Sequence, residues 1–290
     1  MPNPYRAIEK RFKLAPLEPS CQPIFIFSSS WRSGSTLLQR SLCTDPSMIV
    51  WGEPYSDCNS IQSMATTTRA LLQKKWPIPG SFVQKKPEVF QNLHKYFIAN
   101  MYPQIEAFRQ SHRLFLDNLF WTTARAQNFS RFGIKFVRLG LAEAQFLRWM
   151  YPDCIFLFLV RNPWDSWRSY KGYRWRYRYP KPPVTKVELF ASIWQKHTSE
   201  FLQFDLKNAG WIRYEEFIQP EFNWDRLRTF CDLPNMTTEA LSIKIAGVDR
   251  EPSPVTQEEL DTIQYVCGDL TQKLGYLGLG KTDLTMKPFP

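Results

Sequence analysis

Pro23-Ile-Phe-Ile-Phe-Ser-Ser-Ser-Trp-Arg-Ser-Gly-Ser-Thr-Leu-Leu38 passes from a wholly apolar run, β-branched and aromatic, into small polar residues and then into a helical pattern. An apolar run of that length without polar alternation is what a strand covered on both faces requires, so Pro23–Ser28 is read as a central strand of a parallel sheet. The small residues after it permit a tight turn with backbone N–H groups pointing inward, and the helix that follows adds its positive end. Such a turn suits a phosphate or sulfate group, with Arg32 supplying a full charge. The nucleotide-triphosphatase pattern GxxxxGK[ST] needs lysine after its second glycine. Here Gly34 is followed by Ser35, and that pattern fails.

Working outward, Arg131–Arg138 and Cys154–Val160 read as two more strands, separated by Leu141–Tyr151, whose apolar spacing suits a helix. Trp211–Glu215 reads as a further strand, and Ile49–Trp51 as a short one after the first helix. Strand, helix and strand at this spacing predict an α/β fold, a central parallel sheet flanked by helices. Thr185-Lys-Val-Glu188 and Thr256-Gln-Glu-Glu259 both fit the capping box and predict two helix starts. Asn59–Gln127 reads as mostly helical with a break at Trp76-Pro-Ile-Pro-Gly80. The expectation is one domain over residues 1–290, with residues from about 55 to 127 as a helical insertion placed to contact an acceptor.

The 290 residues are 43% hydrophobic, enough for a sizeable core, and no repeat or low-complexity tract divides them. A formal charge of +10 implies an anionic partner or substrate: nucleic acid, an anionic membrane or a polyphosphorylated small molecule. No stretch of about 18 apolar residues predicts a membrane span, and residues 1–13 lack an apolar export core, so a cytoplasmic protein is expected. Six scattered cysteines, without CxxC pairs or companion histidines, argue against zinc and a disulfide framework. Tyr170-Lys-Gly-Tyr-Arg-Trp-Arg-Tyr-Arg-Tyr-Pro-Lys181 alternates aromatic and basic residues, as a lid, an acceptor clamp or a single-strand stacking groove would.

A second anion motif lies in Val160-Arg-Asn-Pro-Trp-Asp-Ser-Trp-Arg-Ser169. It puts Arg161 at the end of a buried strand, Asn162 at a cap, Pro163 at a first helical position and Ser169 about two turns on. With both motifs, the sequence resembles the sulfotransferases that use 3′-phosphoadenosine 5′-phosphosulfate (PAPS). The first loop is similar to that family's 5′-phosphosulfate loop, with Arg32, Ser33, Gly34, Ser35, Thr36 and Leu37 along the cradle. Arg161 and Ser169 resemble its 3′-phosphate pair. Arg213-Tyr-Glu-Glu-Phe217 resembles its RYEDL segment, which implies that Tyr214 approaches the adenine, and Gly268–Tyr276 resembles its late helix ending in Leu-Gly-Tyr. The resemblance implies PAPS as donor, 3′-phosphoadenosine 5′-phosphate (PAP) as product, no metal, and a small-molecule acceptor rather than nucleic acid.

Sulfuryl transfer is an in-line displacement in which positioning and charge stabilisation dominate. Arg32 is the first cation for that task, and the resemblance makes Lys135, at a neighbouring strand end, the second. The cytosolic branch of the family has a histidine two residues after that lysine; this chain has Val137. Glu53 in Gly52-Glu-Pro54 resembles the base of carbohydrate-modifying bacterial relatives and is the expected catalytic base, with Asp57 in reserve. His94, His112 and His197 sit at spacings that suit packing or surface better than catalysis. A nucleotide kinase, which needs a loop lysine and magnesium ligands, and a basic nucleic-acid-binding module are the competing readings.

Overall fold

A computed structural model describes residues 3–18, 21–53, 60–72, 90–95, 98–99, 101–177, 182–204, 207–243 and 253–285. Asp57, Pro54, Cys58, the 76–80 break and residues 178–181 of the aromatic-basic segment lie outside the described residues.

The core of the fold is a five-stranded sheet of β1 (Ile24–Ser28), β2 (Met48–Trp51), β3 (Arg131–Phe136), β4 (Ile155–Val160) and β5 (Ala209–Arg213). Its order is β2-β3-β1-β4-β5, and every pairing is parallel. Register pairs Ile26 with both Lys135 of β3 and Leu157 of β4, so β1 is central, as its unbroken apolar run requires. Alternate side chains leave on opposite faces. Phe25 and Phe27 join Phe132, Phe136, Phe156 and Phe158 beneath α1 (Pro4–Phe12), α3 (Ser60–Ala70), α4 (Ile105–Leu116) and α5 (Leu141–Met150). Ile24 and Ile26 join Met48, Val50, Leu157 and Ile212 beneath α2 (Ser35–Leu42) and α8 (Trp224–Cys231). Phe27 touches Phe136, Phe156 and Phe158 at ring-centroid separations of 5.1 to 6.0 Å, pairs of the kind that add about 0.5–1.5 kcal/mol each beyond area burial.

Because all five strands are parallel, Ser28, Trp51, Phe136, Val160 and Arg213 end on one edge. From β1 the chain travels outward to β2, past β3; from β4 it travels the other way to β5. The direction therefore reverses between β1 and β4, which opens a crevice at their C-terminal ends, the usual ligand position of open α/β sheets. A third cluster supports this edge. Trp31 from the loop after β1 packs with Trp164, Trp167 and Tyr170 of α6 (Pro163–Lys171), Phe190 and Trp194 of α7 (Val187–Phe201), and Ile263 and Cys267 of α9 (Gln257–Lys273). Beyond α9, β6 (Tyr276–Gly278) and β7 (Lys281–Thr282) form a small antiparallel hairpin.

The Thr256 box forms as expected, with Thr256 Oγ1 accepting from Glu259 N at 3.3 Å and Glu259 Oε2 accepting from Thr256 N at 2.9 Å. The Thr185 box does not form. Val184 is buried and Arg176 holds the Thr185 carbonyl, so α7 starts only at Val187 with Lys186 as an N-cap that makes no side-chain bond. The expected strand Trp211–Glu215 ends at Arg213, because its partner β4 stops at Val160 and turns away; Tyr214–Phe217 is a helical turn instead. The described part of the insertion is helical in α3, a 3-10 turn at Leu93–Lys95, and α4, which runs through a π turn into Thr122–Ala126, but not at the described residues of 98–104. α1 was not anticipated: its N-cap Asn3 accepts from Tyr5 N at 3.0 Å, and Tyr5 and Ile8 are buried against α5. No helix among the described residues is long and apolar enough to cross a membrane.

His197 lies inside α7 with its ring stacked on Phe201 and only 6% exposed. Burial, aided by the Lys196 charge, pushes its pKa down to about 4. A base depressed in the folded state is held neutral there and takes up a proton more readily when unfolded, near pH 6.5. Its contribution is therefore complete above pH 6.5 and is lost as pH falls toward 4. Between pH 8 and pH 5 this residue is expected to remove about 2 kcal/mol of stability. Urea midpoints of the protein and of His197→Leu at the two pH values check it: the variant should lose less on acidification, and equal losses would contradict the burial of a neutral imidazole.

Candidate active site

The loop after β1 is braced from inside. Ser29 N extends the pairing to Leu159 O at 3.0 Å, Ser33 Oγ donates to Ser30 O at 3.0 Å, and the buried Ser28 and Ser33 hydroxyls meet. Arg32 (φ 62°) and Gly34 (φ 91°) both occupy the left-handed region, which curls the chain into α2. Gly34 O then accepts from Leu37 N at 2.9 Å and Leu38 N at 3.1 Å, and no side chain caps the helix. The first N–H groups of α2, from Ser35 and Thr36, point along the helix axis without intrahelical acceptors. Ser33 and Ser35 are buried, Thr36 is exposed, and Leu37 packs against the face below.

Opposite, at the end of β4, Arg161 Nη1 donates to the carbonyl of Arg32 at 2.7 Å. Its guanidinium lies 4.3 Å from the centroid of the Tyr214 ring. Arg161 Nε is buried and has no hydrogen-bond partner among the described residues. Tyr214 covers Gly34 so closely that a Cβ there would overlap the ring. Arg32 Nε donates to Ser169 Oγ at 3.1 Å, and its guanidinium stacks 4.5 Å from the Tyr173 centroid. The Ser169 hydroxyl accepts this bond and keeps its own proton to donate elsewhere. The corner itself is set by Asn162, whose side chain accepts from Trp164 N at 3.0 Å and Asp165 N at 3.3 Å, with Pro163 at the first helical position. A cap of this kind contributes about 1 kcal/mol.

On the other side of β1, Lys135 projects near the end of β3, where burial lowers its pKa and the Glu53 charge partly opposes that shift. Glu53 follows β2. Its Oε1 accepts from Val137 N at 3.0 Å and lies 3.5 Å from Arg138 Nε. The main chain of Val137, where the resemblance implies a histidine, thus holds the glutamate expected in its place.

A model described as the sulfotransferase family matches residues 23–238. The chain belongs to the sulfotransferase family. Solved structures similar to it include the sulfotransferase domain from the curacin biosynthetic pathway, with 17% identity over 89% of this chain and 99% of that one at a TM-score of 0.47. Others are the sulfotransferase domain of the Synechococcus PCC 7002 olefin synthase (15% identity, 87% and 97% covered, TM-score 0.43) and the sulfotransferase STF9 of Mycobacterium avium (12% identity, 93% and 81% covered, TM-score 0.44). No curated protein sequence matches it.

In this chain the residues singled out from sequence fall into two groups at one sheet edge. Arg32, Ser33, Gly34, Arg161, Ser169 and Tyr214 are joined by direct contacts, with Ser35, Thr36 and Leu37 continuing the loop into α2. Lys135 and Glu53 form the second group, one strand away. The histidines stand apart from both: His94 is exposed, His112 packs edge-on to Phe108 with burial lowering its pKa, and His197 is the core residue described above. Sequence reasoning missed Tyr173 and Arg138. Tyr173 lies within the aromatic-basic segment, and its place four residues after Ser169 is the sequence signal that ties it to Arg32. Arg138 adjoins Val137, and only the fold brings it to Glu53.

Substituting Gly34 by alanine should cost about 1–3 kcal/mol, from the left-handed backbone and the collision with Tyr214. In a Tyr214→Leu background the same substitution should cost less, since the ring is gone. Urea unfolding of the two singles and the double measures this coupling; simple additivity would contradict the close packing of Tyr214 on Gly34.

Proposed function

We propose that the protein transfers the sulfuryl group of PAPS to a hydroxyl, or to an amine or amide nitrogen, of a small-molecule acceptor. The observation that carries this reading is the Arg161 corner: a guanidinium tied to the loop carbonyl of Arg32, stacked on Tyr214 and retaining a buried Nε without a partner among the described residues, while Arg32 itself reaches Ser169. An N–H donor kept out of water costs about 1–3 kcal/mol unless an acceptor meets it, and a phosphate oxygen supplies one. A nucleotide with phosphates at both the 3′ and 5′ positions fits the two ends of the cluster, the 3′-phosphate at Arg161 and Ser169 and the 5′-phosphosulfate at Arg32 and the N–H groups of residues 33–36, since Leu37 N–H is taken by Gly34 O. Tyr214 offers a ring to the adenine.

In the reaction the acceptor oxygen or nitrogen attacks sulfur, the S–O bond to the 5′-phosphate breaks, and its electron pair leaves with PAP. Arg32 and Lys135 stabilise charge on the bridging and equatorial oxygens, and Glu53 takes the acceptor proton. Desolvation favours a neutral Lys135, and Glu53 supplies the opposing charge that favours its cation. These side chains fill the role magnesium has in kinases, so the reaction is read as metal-independent. The remainder of the reading is a single domain acting in the cytoplasm, with the helical insertion over the acceptor. The aromatic-basic segment supports a packed lid over a nucleic-acid groove: Tyr170 is buried, Tyr173 stacks on Arg32, and Arg176 lies over Trp167 and Tyr177.

Two measurements test the assignment. Arg161→Ala should lose about 1.5–3 kcal/mol of PAP affinity while AMP, which lacks the 3′-phosphate, changes little. Calorimetric titration of both ligands reads this, and an unchanged preference for PAP would remove Arg161 from the 3′-phosphate site. Glu53→Gln should bind PAP normally yet turn over roughly 10²–10⁴ more slowly with an aliphatic hydroxyl acceptor. Near-normal turnover would move the base elsewhere.

A further inference from the structure

β4 and β5 part company at the point where the donor pocket is built. Their last paired residues are Val160 and Arg213. Beyond them one chain turns into Arg161-Asn162-Pro163 and the other into the turn that carries Tyr214, so no ladder hydrogen bond fixes Arg161 relative to Tyr214. Glu215 makes the missing link: its Oε1 accepts from the backbone N–H of Asn162 at 2.9 Å. The carboxylate follows Tyr214 directly, and the N–H it holds follows Arg161 directly.

The tie is backed by the C-terminal hairpin. Asn162, fully buried, donates from Nδ2 to Gly278 O at 2.8 Å and to Lys281 O at 3.3 Å, and Gly280 N donates to Asp165 Oδ2 at 3.2 Å. Arg213, the residue before Tyr214, is also buried and donates from Nη1 to Leu274 O at 2.9 Å and Asp283 O at 3.0 Å. Both strand ends are therefore clamped to the same strap, and Glu215 closes the gap between them. Burial is the first cause that raises the Glu215 pKa, with the Asn162 N–H and the Arg161 charge opposing it. An acid placed at that cost between two donor-binding residues calls for a role that an apolar residue cannot fill.

We propose that Glu215 is a positioning residue that couples the 3′-phosphate side of the donor pocket to its adenine side, by holding the Arg161 corner against the Tyr214 turn. This rests on the reading of Arg161 and Tyr214 as donor contacts. It separates two effects: Glu215 sets donor affinity and selectivity, and leaves the sulfuryl-transfer step to Arg32, Lys135 and Glu53.

The test compares Glu215→Ala and Glu215→Gln with the unaltered protein, by calorimetric binding of PAP and AMP and by steady-state kinetics in PAPS. Glu215→Ala should weaken PAP roughly tenfold or more and narrow the PAP-over-AMP preference. It should raise KM for PAPS while kcat changes by less than about threefold. Glu215→Gln keeps an oxygen acceptor at the same reach and should recover most of the loss. A folded Glu215→Ala with the full preference, or a Glu215→Gln that loses as much as alanine, overturns the inference. If the alanine variant fails to fold, Glu215→Asp, one methylene too short to reach Asn162 N–H, carries the same expectation, and full preference in it is equally fatal. Arg161→Ala, run alongside, separates the two levels. Loss of preference there with full preference in Glu215→Ala overturns Glu215 alone; full preference in Arg161→Ala overturns the donor reading and leaves Glu215 nothing to position.

Discussion

The hydrogen bond from Arg161 to the carbonyl of Arg32, 2.7 Å long, spans the crevice between β1 and β4. It joins the two places where a parallel sheet with this strand order leaves its ends open, and it fixes the loop in a conformation that the loop alone does not favour. Arg32 sits at φ 62°, a region that costs a non-glycine residue roughly 1–2 kcal/mol. The carbonyl bond to Arg161, the Nε bond to Ser169 and the stack on Tyr173 together hold it there. With Arg32 so placed, the backbone that follows can curl through Gly34 beneath Tyr214 and open the N-terminus of α2 toward the crevice.

Cations gathered in a half-buried crevice repel one another and lose hydration, which is why such clusters mark sites for anions. This molecule reduces the cost with aromatic faces as well as with the Glu215 carboxylate, on which the Arg161 charge acts. Arg32 lies on Tyr173 and Arg161 on Tyr214, arrangements that offset part of the desolvation while leaving the guanidinium edges available. A second carboxylate, Glu53, stands on the far side of β1 with Lys135 and is held by the Val137 N–H and Arg138. On the proposed reading, this division separates the donor's charges, on one side of the central strand, from the proton-accepting Glu53 on the other.

Much of this was legible in the sequence because it is encoded locally. The apolar runs of β1, β3 and β4, the Ser/Gly turn into α2, and the Asn162-Pro163 corner each depend on neighbours within a few residues, and each formed with boundaries close to those expected. What sequence patterns concealed depends on where other elements stop. The Trp211–Glu215 strand is cut short at Arg213 because β4 turns away after Val160, and the Thr185 box is overridden by the burial of Val184 and the grip of Arg176 on Thr185. α1 carries its own cap at Asn3, yet its apolar face has meaning only against α5. The bonds from Glu53 to Val137, from Glu215 to Asn162 and from Asn162 to the C-terminal hairpin link residues between 53 and 119 positions apart, a range no local pattern reports.

On the proposed reading, one doubly phosphorylated nucleotide bridges the Arg161 corner and the loop after β1. The most direct measurement is a crystal structure with 3′-phosphoadenosine 5′-phosphate bound. The 3′-phosphate is expected within hydrogen-bond reach of Arg161 and Ser169, the adenine on Tyr214, and the 5′-phosphate against the N–H groups of residues 33–36. A nucleotide bound away from this crevice, or in it with the two phosphates exchanged, would contradict the account.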